Sequence, residues 1–439
     1  LARKAQLEPM LGHPLHAFKS SMQLAQDDVL VGWGQKANTR QIRQKAHDLG
    51  LPYWQLEDGF IGYIGHPARG GKAVSLIADP VGIYYDARQP SRLEQLIATP
   101  CDTALLARAE ALTSELLRLG ITKYNCYAAG SALPDALAAR LHSDARPKVL
   151  LIDQVAGDLS IPGALASEAD FVEMVAAARR NHPGARLLLR THPDTRLGKK
   201  RGVLARLALD DVEVVAEHCH PHALLNSVEA VYTVSSQMGF EALLLGKAVH
   251  CFGMPFYAGW GLTHDSKTCP RRQGPIALPQ LVAAALILYP RYLDPILGQR
   301  CEVEQVLDII AGQQSPAPRY RRLYMVGFSL WKRAFMRAFC QPLAEELRFV
   351  RKLPETLADD EQVLVWGSRH PERQNAIRVE DGFIRSRGLG SNLCRPSSLS
   401  IDPVGIYFDS RRPSGLEQLL NQHELTDQEL ARGETLVDL

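Results

Sequence analysis

Short apolar runs alternate with amphipathic ones through residues 1 to 290, the pattern of strands followed by helices. Val29-Leu30-Val31-Gly32-Trp33-Gly34 reads as a buried strand, and Asn38 or Thr39 is placed to cap a helix running to about Leu49. Pro52 to Glu57 reads as the next strand. A third short run, Gly82 to Asp86, precedes Ser91-Arg92-Leu93-Glu94, which fits a capping box. A helix from Asp102 to Leu119 closes this half. A second series opens with a strand from Lys148 to Asp153 and a helix from Glu168 to Arg180. Strands from Arg186 to Arg190, Val212 to Val215 and Glu229 to Val234 follow, then a helix from Gly239 to Leu245 and a strand from Ala248 to Phe252. Such alternation predicts parallel sheets with helices on both faces. Two series in tandem predict an α/β molecule in which two Rossmann-like domains, 1–140 and 141–290, face a cleft. Ligands in such sheets bind beyond the carboxyl ends of the strands.

The chain also contains a copy of part of itself. Glu57-Asp58-Gly59-Phe60-Ile61 recurs as Glu380-Asp381-Gly382-Phe383-Ile384. Asp79 to Asp86 recurs as Asp402 to Asp409, and Leu93-Glu94-Gln95-Leu96 as Leu416-Glu417-Gln418-Leu419, each 323 positions later. A repeat of this length is a copied domain. Residues 291–322, with Gly312-Gln313-Gln314-Ser315-Pro316-Ala317-Pro318 inside them, read as a linker. Residues 323–439 then read as a truncated N-terminal domain of a second module. Trp366-Gly367 aligns with Trp33-Gly34 at an offset of 333, which puts Leu323 before Leu1. The expectation is a piece of a longer protein, with module one short of its first strand and module two of its second Rossmann domain.

Composition narrows the classes. Apolar residues make up 46% and charged ones 22%, as in soluble globular proteins. A net charge of +2 argues against a nucleic-acid binder held by bulk electrostatics. Eight scattered cysteines with no CxxC pair suit reduced thiols in a cytoplasmic enzyme. The longest apolar run, Leu281 to Leu288, is too short to span a bilayer.

Candidate chemistry sits at the expected strand ends. Glu57 and Asp58 are adjacent carboxylates fit for acid–base work, or else Asp58-Gly59 is simply a turn. Asp153-Gln154 and Asp158-Leu159-Ser160 follow the first strand of the second series. Asp158 is placed to act on an anomeric carbon, or Asp158 or Ser160 caps the next element. Arg190-Thr191-His192-Pro193-Asp194 ends the next strand at its proline, aiming His192 into the cleft. Ser235-Ser236-Gln237-Met238-Gly239-Phe240-Glu241 joins strand to helix. Its amides and hydroxyls suit a phosphate and Glu241 a ribose diol, or Ser236 is an ordinary cap. In His218-Cys219-His220-Pro221-His222 a metal is possible, but Pro221 more simply opens a helix. Arg319 to Arg322 with Lys332, Arg333 and Arg337 reads as core strand and helix ahead of a membrane-facing patch.

Taken together these motifs resemble bacterial capsular-polysaccharide β-Kdo transferases of the KpsC type. The resemblance rests on WG, EDGF, GIYYD, Lys123-Tyr124-Asn125, DQ-x4-D-x-S, HPD, S-Q-x-GFEAL and the Cys251 to Thr263 run. It implies the GT-B layout and retaining transfer of Kdo, an acidic sugar, from CMP-β-Kdo to a β-Kdo linker on phosphatidylglycerol. It further implies Asp158 as nucleophile, Glu57 and Asp58 as the acceptor-side acids, and Lys123, Asn125, Gln154 and Ser160 in substrate binding. His192, Pro193, Ser235, Ser236 and Glu241 would hold CMP. No metal or cofactor is expected. A cytoplasmic protein, peripheral at the inner face of the inner membrane, with capsule biosynthesis or export partners and no nucleic acid, is implied. Module two keeps Glu380, Asp381 and Arg385 without counterparts of Asp158, His192 or Glu241. A CMP-sialic-acid transferase of the same fold, and a non-catalytic glycan-binding or scaffold module, are the rival readings.

Overall fold

Strands buried on both faces need partners on both sides, and the series from Lys148 supplies them. It forms a six-stranded, all-parallel sheet in the order His264–Asp265, Ala248–Cys251, Ala230–Thr233, Lys148–Ile152, Arg186–Arg190, Val212–Val215. Helices Glu168–Asn181, capped by a Ser167–Asp170 capping box, and Gln237–Leu244 link its strands. The order reverses between Lys148–Ile152 and Ala230–Thr233, so the loops after these two strands open one crevice. A computed structural model of the chain describes residues 3–67, 70–127, 132–191, 201–204, 209–313, 319–352, 354–386 and 394–438. It divides into units Leu1–Gln314 and Ser315–Leu439.

The N-terminal sheet departs from expectation. Its order is Leu30–Trp33, Tyr53–Asp58, Ser75–Asp79, Arg291–Asp294, Gln299–Cys301, and only the first pair is parallel. The third strand is Ser75–Asp79, buried throughout, and not Gly82 to Asp86. The later run cannot extend, because Asp79 Oδ1 accepts from the Val81 and Gly82 amides at 2.8 and 2.9 Å and turns the chain there. The stretch 291–322 is likewise no simple linker. Arg291–Asp294 pairs with Ser75–Asp79, and helix Val303–Gln313 buries Val303, Val306, Leu307 and Ile310 in the first unit's core.

The two domains of the first unit share one apolar core. Phe60 of the N-terminal domain lies 4.4 Å from Phe256 and 6.3 Å from Phe240, between ring centroids. Gln237 Nε2 donates to the Phe60 carbonyl at 2.7 Å, and the Ala87 amide to Gly163 O at 2.8 Å. Glu94 is gripped by Arg271 and Arg272 from the other domain, at 2.7 and 3.1 Å.

The second unit repeats part of the first, including several of its turn bonds. Its sheet runs Ala344–Val350, Tyr320–Val326, Glu361–Trp366, Ile377–Asp381, Leu399–Asp402, antiparallel only in the last pair. The last three strands match Leu30–Trp33, Tyr53–Asp58 and Ser75–Asp79. Asp402 Oδ1 accepts from Val404 and Gly405 as Asp79 does from Val81 and Gly82. Ser398 donates to Ile384 O as Ser75 does to Ile61 O. Burial differs: Phe383, Ile384 and Leu420 are 75, 66 and 77% exposed, whereas Phe60, Ile61 and Ile97 are 2, 2 and 1%. The basic stretch from Arg319 is core strand, as expected, with Arg321 paired to Asp360 and Arg322 to Glu346.

Candidate active site

A cleft of about 880 Å³ lies between the two domains of the first unit, at the carboxyl ends of their strands. Glu57 reaches it from the end of Tyr53–Asp58. Its Oε1 accepts from Trp33 Nε1 and from the Asp58 amide, both at 3.1 Å. Burial raises its pKa, and the neighbouring Asp58 charge adds to this, against the opposing pull of Lys123. The glycine of the WG motif makes this approach possible. Gly34 has φ +52°, and a Cβ there would fall 3.2 Å from Glu57 Oε2 and 2.5 Å from Tyr85 Oη. Gly367 repeats the arrangement, at φ +57° and 3.2 Å from Glu380 Oε2.

Asp58 does not join Glu57 in the cleft. Its Oδ1 accepts from Tyr63 Oη at 2.6 Å and from Arg3 at 3.1 Å, so the side chain braces the strand end and lines no part of the cavity. Arg3 also stacks over Trp33, as Lys332 does over Trp366. The Lys123-Tyr124-Asn125 motif divides in the same way. Lys123 lines the cleft. Burial pulls its ammonium down, but Tyr124, Tyr84 and the Asp58 and Glu57 carboxylates more than offset this, and it stays charged. Asn125 adopts φ 47°, accepts from the Thr122 amide and donates to Tyr63 O at 2.9 Å. It shapes the turn that presents Lys123 and is not a lining residue.

The opposite wall is built at the crevice of the parallel sheet. Asp158 lines the cleft, exposed to its solvent, and its Oδ1 accepts from the Ser160 amide at 2.9 Å. Tyr85, from the facing wall, has its phenol pKa raised by burial first, then by Glu57, with Asp158 adding further. Both carboxylates therefore act on one side chain. Gln154 Nε2 donates to Ser235 Oγ at 2.9 Å and Ser160 Oγ at 3.3 Å, and its Oε1 accepts from the Ser235 amide. Three candidate residues from two loops thus form one polar floor. Ser236 caps helix Gln237–Leu244 by accepting from the Met238 amide at 3.2 Å, and it also faces the cleft. Glu241 lies one turn into that helix. Burial raises its pKa to about 7, against the pull of the Lys123 amide and charge. His192 and Pro193 lie outside the described residues; their neighbours Arg190 and Thr191 line the cleft.

Sequence reasoning did not select Tyr85, Tyr127, Arg190 or Arg201, which also line the cavity. The repeat offered a signal for Tyr85, whose counterpart is the aromatic Phe408. Asp153 turns out to be a brace. It accepts from the Gln154 and Leu204 amides, each at 2.9 Å. In the histidine cluster Pro221 does open a helix, with His220 accepting from the His222 amide. Among the described residues no group of three His, Cys, Asp or Glu side chains is placed to hold a metal ion.

The family described as "Capsule polysaccharide biosynthesis protein" matches residues 28–292 and 361–436, covering much of both units. The chain is similar to LipA of Neisseria meningitidis serogroup A, a capsule polysaccharide modification protein, with 39% identity over 424 residues. That alignment covers 92% of this chain and 60% of LipA, so the chain spans about three fifths of its relative's length. It is 36% identical over 293 residues to the lipopolysaccharide-processing protein LpsZ of Rhizobium meliloti, covering 66% of this chain and 65% of LpsZ. Among solved structures it resembles the Thermosulfurimonas dismutans KpsC β Kdo 2,4 transferase, with a TM-score of 0.66 and 41% identity. That likeness covers 71% of this chain and 95% of the other. The matched segments, the relatives and the shared fold converge: the chain belongs to the capsule polysaccharide biosynthesis protein family.

Proposed function

We propose that the first unit is a retaining glycosyltransferase that moves Kdo from CMP-β-Kdo to a β-Kdo residue on a phosphatidylglycerol lipid during capsule biosynthesis. The observation that carries this reading is that Glu57 and Asp158 line one cleft from opposite walls, together with Tyr85, whose pKa both charges raise. Similarity to a β Kdo 2,4 transferase supports the sugar.

In the proposed reaction an Asp158 oxygen attacks C2 of the donor, and the bond from C2 to the CMP phosphate breaks with its electron pair leaving on CMP. Glu57 then takes the proton of the acceptor hydroxyl as that oxygen attacks C2 and the Asp158 ester bond breaks. Two inversions give retention. The phosphate is assigned to Ser235, Ser236 and the amides at the start of Gln237–Leu244, with His192 as a further donor. Glu241 is assigned to the ribose, Gln154 and Ser160 to the sugar, and Lys123 to the Kdo carboxylate. No helix among the described residues is long and apolar enough to cross a membrane. The proposed place of work is the cytoplasmic face of the inner membrane, alongside other capsule biosynthesis or export proteins.

The test supplies the purified chain with CMP-Kdo or CMP-sialic acid and a lipid-mimic acceptor bearing one β-Kdo. The expected product is a β-linked Kdo disaccharide, from CMP-Kdo alone. Transfer of sialic acid, an α-linked product, or no consumption of either donor would overturn the reading in favour of the sialyl or scaffold alternatives.

A further inference from the structure

Beside the nucleotide wall, helix Pro221–Asn226 packs on helix Gln237–Leu244 and brings His222 Nε2 to 3.9 Å from Glu241 Oε2. The two side chains are only 7 and 10% exposed. Among the described residues neither ring nitrogen of His222 has a hydrogen-bond partner. The neighbouring His220 ring is fully spent: it accepts from the His222 amide at 3.1 Å and contacts Gly120 O at 2.9 Å through Nε2. Burying an imidazole N–H and leaving it unmade costs stability, so its retention beside a cleft carboxylate calls for a second state in which the bond forms.

We infer that His222 is a positioning residue: when nucleotide seats, its Nε2–H donates to Glu241 Oε2 and holds that carboxylate ionised, leaving the other oxygen for the ribose hydroxyls. This rests on the proposed assignment of Glu241 to the ribose. A side-chain shift of about 1 Å closes the gap to ordinary hydrogen-bond length. The surrounding charges are consistent with a neutral donor. Burial and the adjacent His220 lower the His222 pKa to about 4. Lys123 acts on Glu241 through its amide and its charge, and Tyr127 also feels Glu241 as well as Arg190. In the free protein burial holds the Glu241 pKa up at about 7. Hydroxyl donors bond its ionised form more strongly, so nucleotide binding is expected to release a proton and to tighten as pH rises through that value.

The test titrates the full chain with CMP by calorimetry between about pH 6 and 8, in two buffers of different ionisation enthalpy. In the wild type, affinity is expected to rise with pH, with proton release near neutrality. His222→Phe is expected to weaken CMP about tenfold at the alkaline end, the worth of one hydrogen bond to a charged group, and to displace the pH dependence upward. His222→Gln, which restores an N–H near the same place, is expected to recover most of the affinity. The inference is overturned if both variants keep the wild-type pH profile, whether affinity is unchanged or falls equally at every pH. Glu241→Gln separates the two readings. Weak, pH-independent binding keeps the ribose assignment, whereas wild-type binding at every pH removes that assignment and the inference with it.

Discussion

Replacing Asp158 with Asn is expected to cut Kdo transfer by at least about a thousandfold while changing CMP affinity by no more than about twofold. The asymmetry follows from where the residue sits. The Asp158 carboxylate is held by the Ser160 amide at the mouth of the crevice, whereas the groups assigned to CMP lie on the neighbouring loop and helix. Asn keeps the shape and can still accept from the Ser160 amide, so the loop survives. What it removes is the charged oxygen proposed to bond to C2. The measurement pairs a transfer assay with CMP titration. Retained transfer by the Asn variant would end the double-displacement reading, and loss of CMP binding would move Asp158 into the nucleotide site.

The second large effect is expected at Glu57. Glu57→Gln removes the proposed base and is expected to lower kcat by roughly a hundred- to ten-thousandfold. The wild-type profile should show an acid limb above the ordinary carboxylate range, because burial and Asp58 raise the Glu57 pKa and the base works only when ionised. The Gln variant should lose that limb. Stability moves the other way. A carboxyl raised in the folded state makes its full contribution below the unfolded value of about 4.3 and loses it as pH rises through the folded value. Glu57→Gln should therefore match the wild type in thermal stability at acid pH and exceed it at alkaline pH. An unchanged acid limb in the variant would assign the base elsewhere.

The parallel sheet was legible because strands such as Arg186–Arg190 and Lys148–Ile152 are apolar on both faces, a pattern few other elements share. The N-terminal sheet was not, because antiparallel return needs no helix between strands. Asp79 also diverts an apolar run into a turn through bonds that periodicity does not encode. The same limit applies to the candidate site. Glu57, Lys123, Gln154, Asp158, Ser160, Ser235, Ser236 and Glu241 do meet in one cleft. Their neighbours Asp58 and Asn125 have the right chemistry but spend it on Tyr63, Arg3 and backbone groups. Adjacent residues of a strand point to opposite faces, so a paired motif names two positions of which one faces the ligand. Why glycine follows tryptophan in both copies became clear only from the closeness of Glu57 and Tyr85 to Gly34.

The apolar core common to both lobes of the first unit makes the active-site gap a vice with its jaws already set. Parting the lobes would wet Phe60, Phe240 and Phe256, each ring worth several kcal/mol at about 25 cal/mol per Å² over roughly 200 Å². A swing costing on the order of 10 kcal/mol leaves the parted state at roughly one part in ten million, so the closed arrangement dominates. Discrimination between ligands then falls to fixed spacing and charge, and small-angle scattering should record the same radius of gyration for this unit with and without CMP.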